Sequence, residues 1–161
     1  MGTLMDLVAG DAREILLAIG IDDWAGLHDR TRFSGYLSLG GGMDPSWLDL
    51  FAHAVRDVSE GSTPIDFSEA ICPLESPAQM QLANLGDRTI ELVDRHWVVE
   101  IAAIPDRLVD RVAARWIDLV DVEECRVDAD EKPMLRQVAG DLVEFCRLAR
   151  EAEDVLLAWS I

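Results

Sequence analysis

Three long segments of the sequence repeat apolar residues at the spacing of an amphipathic helix. The first spans 44–58 and opens with Asp44 and Pro45, which suit the N-cap and the first position of a helix. The second runs from Pro105 to about Val120, and the third covers 131–151. Because each stripe needs a partner, the chain must bury these helices against other elements.

Shorter apolar segments supply the partners. Their β-branched and aromatic residues predict strands over 32–39, 88–93, 96–103 and 155–159. Further expectations are an edge strand within 65–71, a turn at 94–95, a break at the glycines 40–42, and helices at 3–19, 22–28 and 78–85. A chain of 161 residues is long enough to form one hydrophobic core. The prediction is a single α+β domain over 1–161, with amphipathic helices packed on a small, mostly antiparallel sheet.

The charge limits the partners of this chain. It carries 31 Asp and Glu against 14 Lys and Arg, a formal net charge of −17, and Lys132 is its single lysine. Such a field repels nucleic acid and anionic membranes and favours cationic partners. No apolar run reaches the length of about 20 residues that a membrane span needs. We therefore expect no nucleic acid and no membrane, and a basic protein as the favoured partner.

Cysteine usage points to a reducing compartment. Cys72, Cys125 and Cys146 are widely spaced and include no CxxC pair, so neither a disulfide framework nor a zinc knuckle is indicated. Charged residues near the N-terminus interrupt the apolar run that a signal peptide requires. These features predict a cytoplasmic protein with free thiols.

The densest group of acids lies between the second and third amphipathic helices. We call residues 121–131 the acidic segment, and its six acids are Asp121, Glu123, Glu124, Asp128, Asp130 and Glu131. The glycine and the distal glutamate of a calcium-binding loop are missing at the required spacing. The alternatives are a solvated loop and a contact surface for a basic protein.

A second candidate is cationic. Arg107, Arg111 and Arg115 repeat every four residues, so on a helix they form one row that could bind a phosphate or an acidic partner. Asp110 and Asp118 are each three residues from one of these arginines. Pairing along the same helix is therefore the alternative reading.

A third candidate is a metal site. Asp49, His53 and Asp57 are also spaced by four, and a carboxylate–imidazole–carboxylate face can bind a divalent cation. This face lies opposite the apolar stripe of its helix, which favours an ordinary solvated surface. No cofactor is predicted, and a divalent metal is the one candidate left open.

Several short motifs together resemble a known layout. They are Met1-Gly2, Gly-Met-Asp-Pro at 42–45, Ala-Ala-Arg-Trp at 113–116, Phe-Cys-Arg at 145–147 and the end Leu-Leu-Ala-Trp-Ser-Ile at 156–161. The chain resembles a family of small uncharacterised proteins from high-GC actinobacteria, with which its near lack of lysine agrees. This resemblance implies no activity, cofactor or catalytic residue.

Two functions of different classes follow. The acid excess and the lack of a catalytic motif favour an acidic protein-binding module, similar in role to an immunity protein or antitoxin, over an enzyme. The alternative is a small-molecule- or metal-binding protein, with enzymatic activity left open, that gathers His28, His53 or His96 with nearby carboxylates.

Overall fold

A computed structural model describes residues 4–41, 43–74, 88–123 and 127–160. The strands are β1 (Leu4–Gly10), β2 (Gly35–Gly41), β3 (Ile71–Pro73), β4 (Arg88–Val93) and β5 (Asp154–Ser160). The helices are α1 (Ala12–Gly20), α2 (Trp24–Leu27), α3 (Pro45–Val58), α4 (Phe67–Ala70), α5 (Arg95–Ala102), α6 (Asp106–Glu123) and α7 (Glu131–Ala149). The α+β class is confirmed.

The five strands form one sheet in the order β2-β1-β5-β4-β3, and every neighbouring pair is antiparallel. β1 lies between β2 and β5, so both of its edges are paired. Met5, Leu7 and Val8 are completely buried although successive strand residues point to opposite faces. β1 is therefore an interior strand with both faces covered.

The described residues group into two compact units. The sheet unit comprises Met1–Met43, Ile71–Arg95 and Leu148–Ile161. Its core joins α1 and α2 to one face of the sheet through buried apolar side chains, which include Val8, Ile15, Leu16, Ile19, Leu27, Phe33, Ile90 and Leu156. Helices packed on an antiparallel sheet are the arrangement that the sequence predicts.

The helical unit comprises Asp44–Ala70 and His96–Arg147. Within it, the edge of Phe51 meets the ring of Trp116 at a centroid distance of 5.2 Å, which packs α3 against α6. Trp116 Nε1 also donates a hydrogen bond to the Trp47 carbonyl oxygen at 2.7 Å. Arg147, near the end of α7, donates to Asp106 Oδ1 at the start of α6. The assignment of one domain to residues 1–161 stays a prediction.

The helix predicted over 3–19 is wrong in its first half, where β1 lies. Asp11 ends the strand and begins α1, because its carboxylate accepts a hydrogen bond from the Glu14 N–H at 3.0 Å as an N-cap. Gly10 lies close to Phe33 at this junction, and a Cβ there would be 3.1 Å from Phe33 Cδ1, so a larger residue would require the phenyl ring to shift. The remaining residues, Ala12–Gly20, are helical.

The strand predicted over 96–103 is also wrong, as is the turn before it, because this segment is α5. Trp97, Val98, Ile101 and Ala102 are buried, and this spacing defines one face of a helix. Val99, which an extended reading places beside Trp97, is 42% exposed.

The other elements can be compared directly. The helices at 45–58, 106–123 and 131–149 and the strands at 88–93 and 154–160 are confirmed. Gly40 and Gly41 belong to β2 and do not break it. Segment 65–71 contains α4, and the edge strand β3 begins only at its end. The helix predicted over 78–85 lies outside the described residues. In the described ranges, no helix is both long enough and apolar enough to span a membrane.

Candidate functional site

Two acids of the acidic segment hold its backbone in place. Asp121 Oδ1 accepts a hydrogen bond from the Val127 N–H at 2.6 Å, and Glu131 Oε2 accepts one from the Asp128 N–H at 3.0 Å. Val127 is buried and anchors the connection between α6 and α7. These contacts order the segment on both sides of residues 124–126, which lie outside the described ranges together with Glu124.

The negative charge of the acidic segment is largely uncompensated. Asp121, Glu123, Asp130 and Glu131 are exposed. In the ranges that the structure describes, none of these four carboxylates forms an ion pair with an arginine or lysine. Asp128 is exposed as well. The described residues of the segment therefore present an ordered, solvent-facing group of negative charges.

The arginine row of α6 is divided between two roles. Arg115 Nε donates to Asp57 Oδ2 on α3 at 2.8 Å, so its partner is not Asp118 on its own helix. Arg107 and Arg111 are exposed and make neither a hydrogen bond nor an ion pair among the described residues. The spacing suggests that Asp110 and Asp118 pair with arginines of the same helix, but Arg115 pairs with Asp57 of α3 instead.

The three predicted metal ligands are engaged with different partners. Asp49 Oδ1 accepts from the Ser68 N–H at 2.6 Å. His53 Nε2 lies 3.6 Å from Asp57 Oδ1, and the hydrogen bond from Arg115 lowers the pKa of Asp57. Among the residues described here, no group of three or more His, Cys, Asp or Glu side chains is placed to hold a metal ion. The metal site stays a prediction.

The other two histidines contact different residues. His96 Nε2 is 3.9 Å from Glu100 Oε1, and Glu100 Oε2 accepts from the Thr63 N–H at 2.7 Å. His28 follows α2, and its ring packs against Tyr36 at a centroid distance of 4.1 Å. The His28 contact leads to a polar network on the sheet.

That network lies in the sheet unit, and sequence reasoning missed it. The Tyr36 hydroxyl on β2 donates to Asp6 Oδ1 on β1 at 3.0 Å. Burial, and then the negative charge of Asp6, raises the pKa of Tyr36. The register places Asp6 opposite Ser38 and Val8 opposite Tyr36. The apolar spacing of residues 4–10 predicts a helix, so the sequence contains no local signal for this pairing across two strands.

A stacked arginine lies beside the network. The guanidinium carbon of Arg88 on β4 is 4.0 Å from the centroid of the Trp24 ring. Arg88 and Asp6 both line a small hollow that ends at Ser160 and the exposed Leu4. We call this feature the polar hollow (Leu4, Asp6, Arg88, Ala158, Trp159 and Ser160).

The helical unit contains a larger cleft. It has a volume of about 510 Å³ and lies where Asp110 of α6 approaches Lys132, Arg136 and Gln137 of α7. Lys132 and Arg136 form no hydrogen bond or ion pair within the described part of the chain. The acids at 128, 130 and 131 follow each other closely at the same end of α7, so the surroundings of these two cations are negative.

Comparison with known proteins adds no relative. No protein-family model matches the chain, and no curated protein and no solved structure is significantly similar to it.

Proposed function

We propose that this protein binds a cationic partner protein through the acidic segment. The observation that carries the proposal is the exposure of Asp121, Glu123, Asp130 and Glu131 without an arginine or lysine ion pair among the described residues. A basic surface that covered the segment would supply the missing counter-charges.

The physical support is electrostatic. Charges on a chain of net −17 attract a basic protein over about one Debye length, roughly 10 Å at 0.1 M salt. Complementary charge mainly accelerates association and selects against acidic competitors. The hydrogen bonds of Asp121 and Glu131 order the described residues of the segment before binding, which lowers the entropic cost of binding a partner.

The class of function that fits is an immunity-like or antitoxin-like protein that neutralises a basic protein in the cytoplasm. Cys72 and Cys146 are free thiols, and this supports a reducing compartment. A metal-dependent role for Asp49, His53 and Asp57 would require Asp49 to give up its hydrogen bond from the Ser68 N–H and Asp57 to give up its ion pair with Arg115.

The test uses a defined cationic probe, a peptide of about 20 residues rich in Lys and Arg, titrated into ¹⁵N-labelled protein at about 50 mM and about 300 mM salt. The variant carries Asp128→Asn, Asp130→Asn and Glu131→Gln. Asn and Gln retain a side-chain oxygen, so the Glu131→Gln substitution keeps the acceptor for the Asp128 N–H. We expect amide shifts centred on 121–131, and at least about tenfold weaker binding both in the variant and at the higher salt.

A matched control removes three charges elsewhere, with Glu14→Gln, Asp22→Asn and Glu151→Gln. These residues are exposed and lie in the sheet unit, and Asn suits position 22, where φ is +56°. The control should weaken binding by less than about threefold. Equal losses in both triple variants, shifts spread over the whole surface, or affinity independent of salt would each overturn the proposal.

A further inference from the structure

Two opposite charges in the polar hollow are held apart. Asp6 on β1 and Arg88 on β4 line the same hollow, with β5 between their strands. In the part of the chain that the structure describes, they form no ion pair with each other. Opposite charges facing one hollow without pairing are an arrangement that a ligand with both charges can bridge.

Arg88 makes a cation–π contact with Trp24. Its guanidinium carbon lies over the indole ring, 4.0 Å from the ring centroid. Arg88 is half-buried, and its N–H groups have no acceptor among the described residues. A stacked guanidinium keeps its N–H edge available, and this edge matches the two oxygens of a carboxylate.

Asp6 is oriented in a comparable way. Its Oδ1 accepts the hydrogen bond from Tyr36, whose ring is packed against His28. A tyrosine phenol is protonated at neutral pH, and burial raises the pKa of Tyr36 further, so its hydroxyl is the donor. Oδ2 of Asp6 has no hydrogen-bond partner among the described residues. The Oδ1 atom of Asp6 thus holds the carboxylate in place through Tyr36, and its Oδ2 atom is available to a hydrogen-bond donor of a ligand.

The size of the hollow restricts what can enter it. The volume of the hollow is about 20 Å³, which is room for one group the size of a water molecule. An ammonium group has that size. The rest of a ligand would lie on the open side, next to Leu4, which is 52% exposed.

We propose that the polar hollow binds a small zwitterion with one ammonium and one carboxylate group, the chemistry of a free amino acid. The ammonium donates to Asp6, and the carboxylate accepts from the N–H edge of Arg88. Ser160 lines the same hollow.

Ligands with a single charge fit less well. A simple anion would be attracted by Arg88 but repelled by Asp6 and by the net charge of −17. A simple cation would satisfy Asp6 and leave Arg88 without an acceptor. Only a ligand with both charges satisfies both groups in one binding event.

The experiment titrates glycine and L-alanine into ¹⁵N-labelled protein and follows the indole N–H of Trp24, assigned with a Trp24→Phe variant. Methylammonium and acetate, each carrying one of the two charges, are titrated separately. We expect saturable shifts with both amino acids, and at least about tenfold weaker binding of either fragment. Chemical shifts that do not saturate with glycine or L-alanine at about 50 mM would mean that the dissociation constant lies beyond the millimolar range, and this result would overturn the proposal. A fragment that binds as tightly as glycine would do so as well.

Variants locate the binding. Asp6→Asn removes the charge but keeps an oxygen for Tyr36, and Arg88→Gln removes the guanidinium; each should weaken glycine binding at least about tenfold. The matched control is Glu91→Gln on the opposite face of β4, where the amide oxygen can still accept from Trp159 Nε1. If the Asp6→Asn variant does not fold, glycine binding by the Arg88→Gln variant alone tests the site. Unchanged binding in the charge variants, or an equal loss in the control, would refute the site.

Discussion

Asp57 and Arg115 form one ion pair, with the Asp57 Oδ2 atom 2.8 Å from Arg115 Nε, and this pair links α3 to α6. In the sequence they belong to two different hypotheses, a metal site on α3 and an anion-binding row on α6. Arg115 therefore neutralises a carboxylate that the metal site would need, and Asp57 neutralises a guanidinium that the anion-binding row would need. The contact leaves Arg107 and Arg111 as the members of the row that have no partner among the described residues.

The Asp57–Arg115 pair should contribute a small, pH-dependent stability. The arginine hydrogen bond lowers the folded-state pKa of Asp57, so its contribution is present above the unfolded pKa, about 3.9, and is lost as pH falls through the folded pKa. Because both side chains are about a third exposed or more, we expect a coupling of only about 0.5 kcal/mol at pH 7. A double-mutant cycle with Asp57→Asn and Arg115→Gln in urea at pH 7 and at about pH 2 measures it. A coupling that persists at the acidic pH would contradict this account.

Two buried tryptophans should respond differently to the same substitution. Trp116 Nε1 donates to the Trp47 carbonyl oxygen at 2.7 Å, whereas Trp97 Nε1 is buried without a partner among the described residues. Both side chains are fully buried, and each contacts a phenylalanine ring, so the loss of volume is similar. Trp116→Phe should therefore destabilise by about 1 kcal/mol more than Trp97→Phe in urea unfolding. An equal decrease in the free energy of unfolding for both variants would mean that the Trp116 hydrogen bond makes no net contribution to stability.

Arg95 should stabilise the turn that precedes β5. Its guanidinium donates to the carbonyl oxygens of Arg150, Ala152 and Glu153. Arg95→Gln removes these charged donors and should lower the free energy of unfolding by about 2 kcal/mol. Arg13→Gln, an exposed arginine in the same unit, is the control and should change it by less than about 0.5 kcal/mol. Similar effects in the two variants would show that only net charge matters.

Glu153 should limit stability at neutral pH. Its hydrogen bond with Asp11 and the repulsion from that carboxylate raise the pKa of Glu153. The folded-state pKa of Glu153 is above the unfolded value of about 4.3. The stability that protonated Glu153 contributes to the fold is therefore fully present below about pH 4.3, and it is lost as the pH rises through the raised folded-state pKa. Glu153→Gln should thus melt at a higher temperature than the parent at pH 7, with the gain gone near pH 3. The control is Glu151→Gln, two residues away, which should raise the melting temperature at pH 7 by less. An equal rise in both variants would mean that only the change in net charge matters.

The two described thiols should differ in reactivity. Cys72 is exposed on β3, while Cys146 is completely buried in α7, and this burial raises the pKa of the Cys146 thiol. In a Cys125→Ser background, maleimide should label one thiol of the folded protein and both thiols in denaturant. Mass spectrometry counts the labels, and peptide mapping identifies Cys72. Rapid labelling of Cys146 in buffer would show that α7 opens readily.

Local signals explain which elements could be predicted from the sequence. Asp44 and Pro45 start α3 by capping chemistry, and Asp44 Oδ1 does accept from the Ser46 N–H at 2.8 Å. The apolar stripes of α6 and α7 have a period that a helix alone satisfies. These features depend on neighbours within a few residues, and the sequence contains all of them.

The failures depend on distant residues. β1 is apolar apart from Asp6 because both of its faces are covered, and so dense a run of apolar residues has no period that separates strand from helix. α5 was missed although the buried spacing of Trp97, Val98 and Ile101 fits a helix, because an alternating reading was also available. The Asp6–Tyr36 bond and the Asp57–Arg115 pair join elements far apart in sequence, so no local pattern could predict either.

The central place of β5 in the sheet has a consequence for biosynthesis. Residues 154–160 are translated after the other four strands, yet β5 joins β2-β1 on one side to β4-β3 on the other. While the ribosome is still making α7, the nascent chain holds two separate strand pairs, each with an open edge. Such edges pair readily with other chains. A protein stalled or cleaved before residue 154 would therefore be more prone to aggregate than the finished chain.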